Sequence, residues 1–216
     1  MNMKERMLSG KPCLTFEKEL YAERMHQQRL QYDFNNLPPE DESGRIALLR
    51  EMLGGCKENV WMERPVYFDY GKNTYVGENF YANTGCTILD GAKVTIGDNV
   101  FLAPYVGIYT AGHPVHSHPR NLGIEYNFPV TIGDNVWIGA QSVINPGVTI
   151  GSNVVIGSGS VVTKDIPDNV IAVGNPCRVI REITEEDRAC YFRDMKIDDE
   201  LYALAESGID AENRPK

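Results

Sequence analysis

An aliphatic residue that recurs every six positions is the feature of this sequence that most restricts its fold. The clearest run is Ile132, Ile138, Ile144, Ile150, Ile156 and Val162. Each unit predicts a short strand with its aliphatic side chain inward, followed by a turn in which Gly, Asn or Asp accepts unusual backbone angles. Unrelated hairpins would not keep one register through six consecutive units. The repeat therefore predicts a parallel β-helix and leaves its handedness open.

A longer repeat shows how the six-residue units combine. The segment Ile96-Gly-Asp-Asn-Val recurs unchanged at Ile132 and with one substitution at Ile150, so the spacings are multiples of eighteen. Three units then close one triangular coil, and successive coils stack in parallel. We expect a mainly β protein in which residues 59–178 form the solenoid.

The register breaks twice within the solenoid. It shifts by two residues between Val94 and Ile96, which predicts a bulge or an altered corner. It lapses again between Ile108 and Ile132, so residues 109–129 are predicted to project as a long loop. Three of the four histidines lie in this loop: His113, His116 and His118.

The residues before the solenoid have helical composition. We expect residues 1–58 to form an N-terminal helical cap, with one helix over 15–36 and another from Ser43 to the glycine pair Gly54-Gly55. Because the open ends of a solenoid need cover, these helices are expected to shield the first coil.

The residues after the solenoid are predicted to form a C-terminal helical segment over 179–216. A helix is expected to begin at Thr184, because Asp187 three residues later completes a capping box. This segment is expected to cover the last coil.

Composition excludes several classes of function. The 216 residues favour a single main domain, and the net charge of −9 with no basic and aromatic interleaving argues against nucleic acid as a partner. The sequence has neither an apolar run that would span a membrane nor a signal peptide, so we expect a cytoplasmic protein without membrane contact. Its five widely spaced cysteines form no CxxC pair and fit reduced thiols.

His113 is the strongest catalytic candidate among the loop histidines. It precedes Pro114, and a proline holds the residue before it in an extended conformation, which gives the imidazole a defined direction. Imidazole is the usual base for deprotonating a hydroxyl near neutral pH. The alternative is that all three loop histidines are ordinary polar loop residues.

Several segments together resemble a known family. They are FYANTGCTILD, IGDNV, AGHPVH, FPVTIGDNVWIGAQSVINPGVTIG, VVTKDIPDNV and GNPCRVIREI. They are similar to the galactoside, maltose and nodulation acetyltransferases of the hexapeptide-repeat superfamily, and most similar to the galactoside type. The resemblance covers nearly the whole chain. It implies a left-handed β-helix, a homotrimer, and transfer of acetyl from acetyl-CoA to a sugar hydroxyl without a metal.

The resemblance also implies roles for individual residues. His113 falls on the catalytic base, and Asn83 falls on an asparagine that contacts substrate and transition state. Acceptor contacts are expected from Asp69, with Asp90, Glu17 and Glu125 as further candidates. Glu125 is a candidate from its place in the loop segment Gly-Ile-Glu rather than from the resemblance, and it would either orient His113 or bind Arg120. Asn83 is also expected to contact acetyl-CoA, together with Trp137, Ala140, Ser158, Thr163, Lys164, Arg178 and Arg181.

Three positions depart from the family pattern. Ala140 replaces a serine, so a contact there would come from the backbone N–H. An N-terminal acidic residue falls on Thr15 by direct counting or on Glu17 by the maltose-type pattern. A second acidic position falls on Gly91, beside Asp90. These changes leave the acceptor sugar open.

Other functions remain as alternatives at this point. A xenobiotic acetyltransferase would use the same chemistry on an antibiotic hydroxyl. A γ-type carbonic anhydrase would hold zinc with histidines. Crowding of the three loop histidines into six residues with two prolines argues against it, because that family spreads its ligands over separate coils. A non-catalytic solenoid would need none of the acetyl-CoA motifs.

Overall fold

The computed structural model describes residues 1–207. The chain divides into two compact units, Met1–Arg181 and Glu182–Lys216. The first contains a triangular solenoid whose three faces, called I, II and III, are parallel sheets. The predicted parallel β-helix is therefore confirmed.

Along the chain, successive strands lie on face I, then face II, then face III, and the order repeats with each coil. Face I contains Gly55–Cys56, Thr74–Val76, Val94–Ile96, Val130–Ile132 and Thr149–Ile150. Face II contains Val60–Met62, Phe80–Ala82, Phe101–Leu102, Val136–Ile138, Val154–Ile156, Val170–Val173 and Arg178–Glu182. Face III contains Tyr67–Phe68, Thr87–Leu89, Gly107–Tyr109, Val143–Ile144 and Val161–Val162.

The six-residue aliphatic positions form the interior of the solenoid. Ile132 pairs with Ile96 on one side and with Ile150 on the other, and all three side chains are buried. Such stacked rows of branched side chains remove apolar surface from water on every coil. The first rung, Gly55–Cys56, already pairs with Tyr75 and Val76, so the solenoid starts inside the predicted cap.

The expected change of corner is present. Ile96 pairs with Val76, twenty positions earlier, whereas Ile150 pairs with Ile132, eighteen positions earlier. The two extra residues lie after face III, where the chain turns back to face I. We call this turn corner III/I, and the turn between faces II and III corner II/III.

Three helices precede the solenoid: α1, Met3–Leu8; α2, Lys18–Asn35; and α3, Glu42–Met52. The last two match the predicted helices. Their side chains Phe34, Leu49 and Met52 are buried in the same core cluster as the solenoid interior. The first helix was not predicted, although Asn2 and Glu5 form a capping box that the sequence displays.

The predicted projecting loop is an ordered excursion with its own elements. It contains a strand at Ala111–Gly112, helix α4 at Ser117–Asn121, and a strand at Ile124–Asn127. The strand Cys13–Leu14 from the N-terminal region pairs antiparallel with Ile124–Glu125 and completes a three-stranded sheet. The excursion therefore packs against the N-terminal segment of its own chain.

The second unit departs from the single predicted helix. Its capping box at Thr184 and Asp187 is present, but it starts only a 3-10 helix, Glu185–Ala189. A hairpin of Cys190–Phe192 and Met195–Lys196 follows, because the aromatic segment favours a strand and Arg193 turns with a positive φ of 52°. Helix α5 spans Asp199–Glu206, and residues 208–216 of the predicted segment lie outside the described residues.

Candidate active site

His113 lies at the base of the excursion from corner III/I, with its side chain 52% exposed. Its Nδ1 is 3.1 Å from the backbone oxygen of Ile124. Since a carbonyl only accepts hydrogen bonds, this contact places a hydrogen on Nδ1, and in the neutral imidazole the free electron pair is then on Nε2. The imidazole is thus held in the tautomer that offers Nε2 as a base.

Glu125 stands beside that free nitrogen. Its Oε2 is 4.0 Å from His113 Nε2, and its side chain is only 16% exposed. The other oxygen, Oε1, accepts a 3.0 Å hydrogen bond from Asn127 Nδ2, which fixes the carboxylate. A negative charge at this distance favours the imidazolium that proton transfer creates. Arg120 binds the backbone oxygens of Pro114 and Val115 rather than Glu125.

Asp69 is a second carboxyl group close to Glu125. It follows the first strand of face III and is half-buried, yet its carboxylate accepts no hydrogen bond from the described residues. Burial raises its pKa, the nearby charge of Glu125 raises it further, and Arg24 acts in the opposite direction. A half-buried acceptor without a donor is a good contact for a ligand hydroxyl, because leaving it unpaired is costly.

Arg24 of helix α2 is the residue near this pair that sequence reasoning missed. Its Nη1 donates to Tyr70 Oη at 2.8 Å, and its Nη2 donates to the backbone oxygen of Thr15 at 2.8 Å. Nothing in the local pattern of α2 separates it from Arg29, the second arginine of that helix. Only the packing of α2 against the first coil reveals its position.

Asp90 lies at the same corner but faces inward, with no exposed surface. One oxygen accepts from the backbone N–H groups of Tyr70 and Gly71, and the other accepts from Asn73 N–H and Thr74 Oγ1. Burial nevertheless raises its pKa to about 6, against these hydrogen bonds. All of its acceptor capacity serves the preceding corner, so we leave it out of the acceptor site.

Glu17 has a local structural partner. It is the N-cap of α2, and its carboxylate accepts a 3.0 Å hydrogen bond from Glu19 N–H. This hydrogen bond satisfies one of the backbone N–H groups that the first turn of a helix leaves unpaired.

Asn83 lies at corner II/III, on the opposite edge of face III from His113. Its Oδ1 accepts from Thr84 N–H at 2.8 Å, while its Nδ2 has no partner among the described residues. The side chain thus presents two N–H donors. Ala140 and Ser158 lie at the same corner two and three coils further along, and Gly159 N–H donates to Ala140 O.

The remaining candidates lie on exposed surfaces of the solenoid. Thr163 and Lys164 follow the last strand of face III at corner III/I. Trp137 points outward from face II, and Arg178 and Arg181 lie in the last strand of that face. All five side chains are exposed, and Trp137 is 54% exposed.

The predicted residues therefore form two groups in one chain. His113, Glu125 and Asp69 come from corner III/I, whereas Asn83, Ala140 and Ser158 come from corner II/III. A full face of the solenoid separates the groups. A single subunit does not bring the predicted base and the predicted asparagine together.

Residues 1–207 contain neither a candidate metal site nor a candidate membrane-spanning helix. No group of three His, Cys, Asp or Glu side chains in that range is arranged to hold a metal ion. No helix in the same range has the length and apolarity needed to cross a bilayer. The five cysteines are free thiols.

Family models match two parts of the chain. Residues 129–164 match the bacterial transferase hexapeptide (six repeats), and residues 6–57 match the maltose acetyltransferase hexapeptide capping motif. The second match covers the helices that pack on the first coil.

Individual proteins match over almost the whole chain. The galactoside O-acetyltransferase of Escherichia coli K12 is 51% identical over 198 residues, which is 92% of this chain and 98% of that protein. The structure of a galactoside acetyltransferase in complex with coenzyme A superposes with a TM-score of 0.89 at 52% identity, covering 92% of this chain and 99% of that one. A maltose O-acetyltransferase from Clostridium difficile 630 superposes with a TM-score of 0.83 at 53% identity, covering 86% and 99%. The chain therefore belongs to the hexapeptide-repeat sugar O-acetyltransferase family, and its solenoid is the left-handed β-helix of that family.

Proposed function

We propose that this protein transfers the acetyl group of acetyl-CoA to a hydroxyl of a sugar, with His113 as the general base. The observation that carries the proposal is the Nδ1 contact to Ile124, because the neutral imidazole then offers Nε2 as the base, 4.0 Å from the Glu125 carboxylate. The relatives' names supply the reaction class, because they are galactoside and maltose O-acetyltransferases and one holds coenzyme A.

The reaction needs one group that carries a proton from the sugar hydroxyl to the sulfur of the leaving CoA. His113 Nε2 accepts the proton of the sugar hydroxyl as its oxygen attacks the thioester carbonyl. The new C–O bond forms a tetrahedral intermediate, its collapse breaks the C–S bond, and the imidazolium returns the proton to the sulfur of CoA. Glu125, 4.0 Å from Nε2, stabilises the imidazolium in between.

The two carboxylates suit a polyhydroxyl acceptor. Asp69 has unused acceptor capacity, and Glu125 is close enough to Nε2 for one hydroxyl to contact both groups. Sugar hydroxyls donate well to ionised carboxylates, and such charge-assisted bonds are stronger than neutral ones. We therefore place the acceptor over Asp69 and Glu125.

Asn83 is suited to the negative oxygen of the intermediate. Its Oδ1 is held by Thr84 N–H, so the amide directs its Nδ2 donors away from the backbone. Fixed donors of this kind stabilise an oxyanion and typically contribute about two to three orders of magnitude in rate. Exposed Lys164, Arg178 and Arg181 are proposed to contact the phosphates of acetyl-CoA. Thr163 and Trp137 are proposed as further contacts of acetyl-CoA.

We propose a homotrimer with the site between subunits, because the two corners must come from different chains. Face II presents an outward column in which Trp61, Tyr81, Phe101 and Trp137 are register partners, an apolar surface suited to burial. At the tip of the excursion Val115 is 95% exposed. Rotation about a threefold axis sets corner III/I of one chain against corner II/III of the next.

A panel assay tests the reaction and its acceptor. Purified protein is given acetyl-CoA with galactosides, glucosides, maltose or chloramphenicol, and CoA release is measured. Activity on sugars supports the proposal, and a preference for chloramphenicol would instead indicate a xenobiotic acetyltransferase. Metal analysis and a CO2 hydration assay on the same sample address the carbonic anhydrase alternative.

Substitution of His113 tests the mechanism. We expect His113→Ala to lower kcat by about a hundredfold or more while the KM for acetyl-CoA stays nearly constant, because the base acts in the transition state. His118→Ala is the matched control on the same excursion and should keep most of the activity. A His113→Ala enzyme with more than a third of the wild-type kcat would contradict the assignment.

A further inference from the structure

Arg24 connects the segments that carry the two acceptor carboxylates. Its bond to Tyr70 Oη holds the residue next to Asp69, and its bond to Thr15 O holds the segment that follows the strand Cys13–Leu14. That strand pairs directly with Ile124–Glu125. One guanidinium from α2 thus ties together the two parts of corner III/I that supply Asp69 and Glu125.

Arg24 is the cation that acts on Asp69 at this corner. Asp69 and Glu125 are close enough for Glu125 to raise the pKa of Asp69, and Arg24 is the one cation among the groups that shift it. Burial followed by Glu125 raises the pKa of the Cys13 thiol and Arg6 acts in the opposite direction, but Arg6 is not among the groups that shift the pKa of Asp69. The neighbouring Tyr70 phenol has a pKa of about 12, raised mainly by burial. Neither the Cys13 thiol nor the Tyr70 phenol supplies positive charge near neutral pH. His113 does not supply it either, because the proposed base must be neutral to accept a proton.

We propose that Arg24 is a positioning residue of the acceptor site, which fixes the spacing of Asp69 and Glu125 and supplies the positive charge that balances them. The inference rests on the proposed function, since it assumes that the two carboxylates receive sugar hydroxyls. A protonated Asp69 is a weaker acceptor and presents an O–H toward the hydroxyls it must bind. Arg24 therefore sets the pH range over which the neutral acceptor binds.

The test compares Arg24→Met with Arg24→Lys, using a galactoside and maltose as acceptors. Loss of the guanidinium should raise the acceptor KM about tenfold or more and shift the acidic limb of kcat/KM for the acceptor to higher pH. The KM for acetyl-CoA should change by less than about twofold. Lysine keeps the charge but not the planar pair of donors. In Arg24→Lys the acidic limb should therefore lie closer to its wild-type position than in Arg24→Met, while the acceptor KM should recover less.

Arg29→Met is the matched control. Arg29 lies on the same helix and also sits over a tyrosine ring and beside an acid, Tyr32 and Asp33, but it is 74% exposed. It should leave both KM values and the pH profile unchanged. If Arg24→Met lowers kcat and raises both KM values alike with an unshifted pH profile, Arg24 is only a structural residue and the proposal fails.

Two further measurements keep the outcome decisive. If Arg24→Met does not fold, Tyr70→Phe removes the 2.8 Å anchor but keeps the charge, and it should raise the acceptor KM with acetyl-CoA binding unchanged. Carbon NMR titration of Asp69 in wild type and Arg24→Lys or Arg24→Met reads the charge effect without any turnover. A wild type that acetylates no sugar defeats the proposed function alone, whereas an Asp69 titration unaffected by Arg24→Met defeats the role of Arg24.

Discussion

Subunit mixing is the sharpest test of how this site is assembled. His113 and Asn83 lie at opposite edges of face III, so a site that uses both must take them from two chains. A subunit with His113→Ala still offers a normal Asn83, and a subunit with Asn83→Ala still offers a normal His113. In the proposed homotrimer each variant alone should therefore be nearly inactive, whereas mixed trimers should contain intact sites.

The size of the recovery follows from the geometry. In an equal mixture, the chain that supplies His113 is intact in half of the cases, and its neighbour supplies an intact Asn83 in half of the cases. About one quarter of the interfaces then carry both residues, so about a quarter of the wild-type kcat is expected. Each variant alone should be lower than wild type by about two orders of magnitude or more, which leaves this signal clear.

The assay measures CoA release after the two variants are dissociated in urea, mixed and refolded together. Each variant refolded alone gives the baseline. A mixture of His113→Ala with His113→Gln is the matched control, because both variants lack the same imidazole and no intact site arises in any mixed trimer. Recovery in this control, or none with the Asn83 variant in a trimer of confirmed mass, would refute the two-corner arrangement.

Three further predictions concern single residues. Lys164→Ala should raise the KM for acetyl-CoA severalfold with little change in kcat, and the variant should discriminate less between acetyl-CoA and its 3′-dephospho form. Asp69→Asn should raise the acceptor KM about tenfold with an unchanged KM for acetyl-CoA, as steady-state kinetics with a galactoside would show. For Asp90, the folded-state pKa of about 6 lies above the ordinary 3.8, so the folded protein binds the proton more tightly and stability falls as pH rises from about 4 to about 6. That difference corresponds to roughly 3 kcal/mol in all, of which roughly 2 kcal/mol falls between pH 4.5 and 7.5. Urea unfolding at these two pH values should show the stability of Asp90→Asn rising by about that amount relative to wild type; a constant or opposite difference would mean that the hydrogen bonds outweigh burial.

The sequence alone determined the solenoid and the position of the excursion. The aliphatic period is a local signal repeated on every coil, so each unit supports the same register and the interior residues from Ile132 to Val162 could be assigned directly. The two-residue shift near Val94 and the gap before Ile132 were equally visible, because they interrupt a strict period. The capping box at Asn2 was also readable, although its short helix was not predicted.

The tertiary structure alone decided which residues share a site. The strand Cys13–Leu14 is two residues long and pairs with residues more than a hundred positions away, so no local pattern marks it. Arg24 reaches its partners only because α2 packs on the first coil, and Asp90 turns inward only because the corner before it offers four donors. Propensity and periodicity describe neighbours along the chain, whereas burial, charge balance and the distance between two corners depend on how the coils stack.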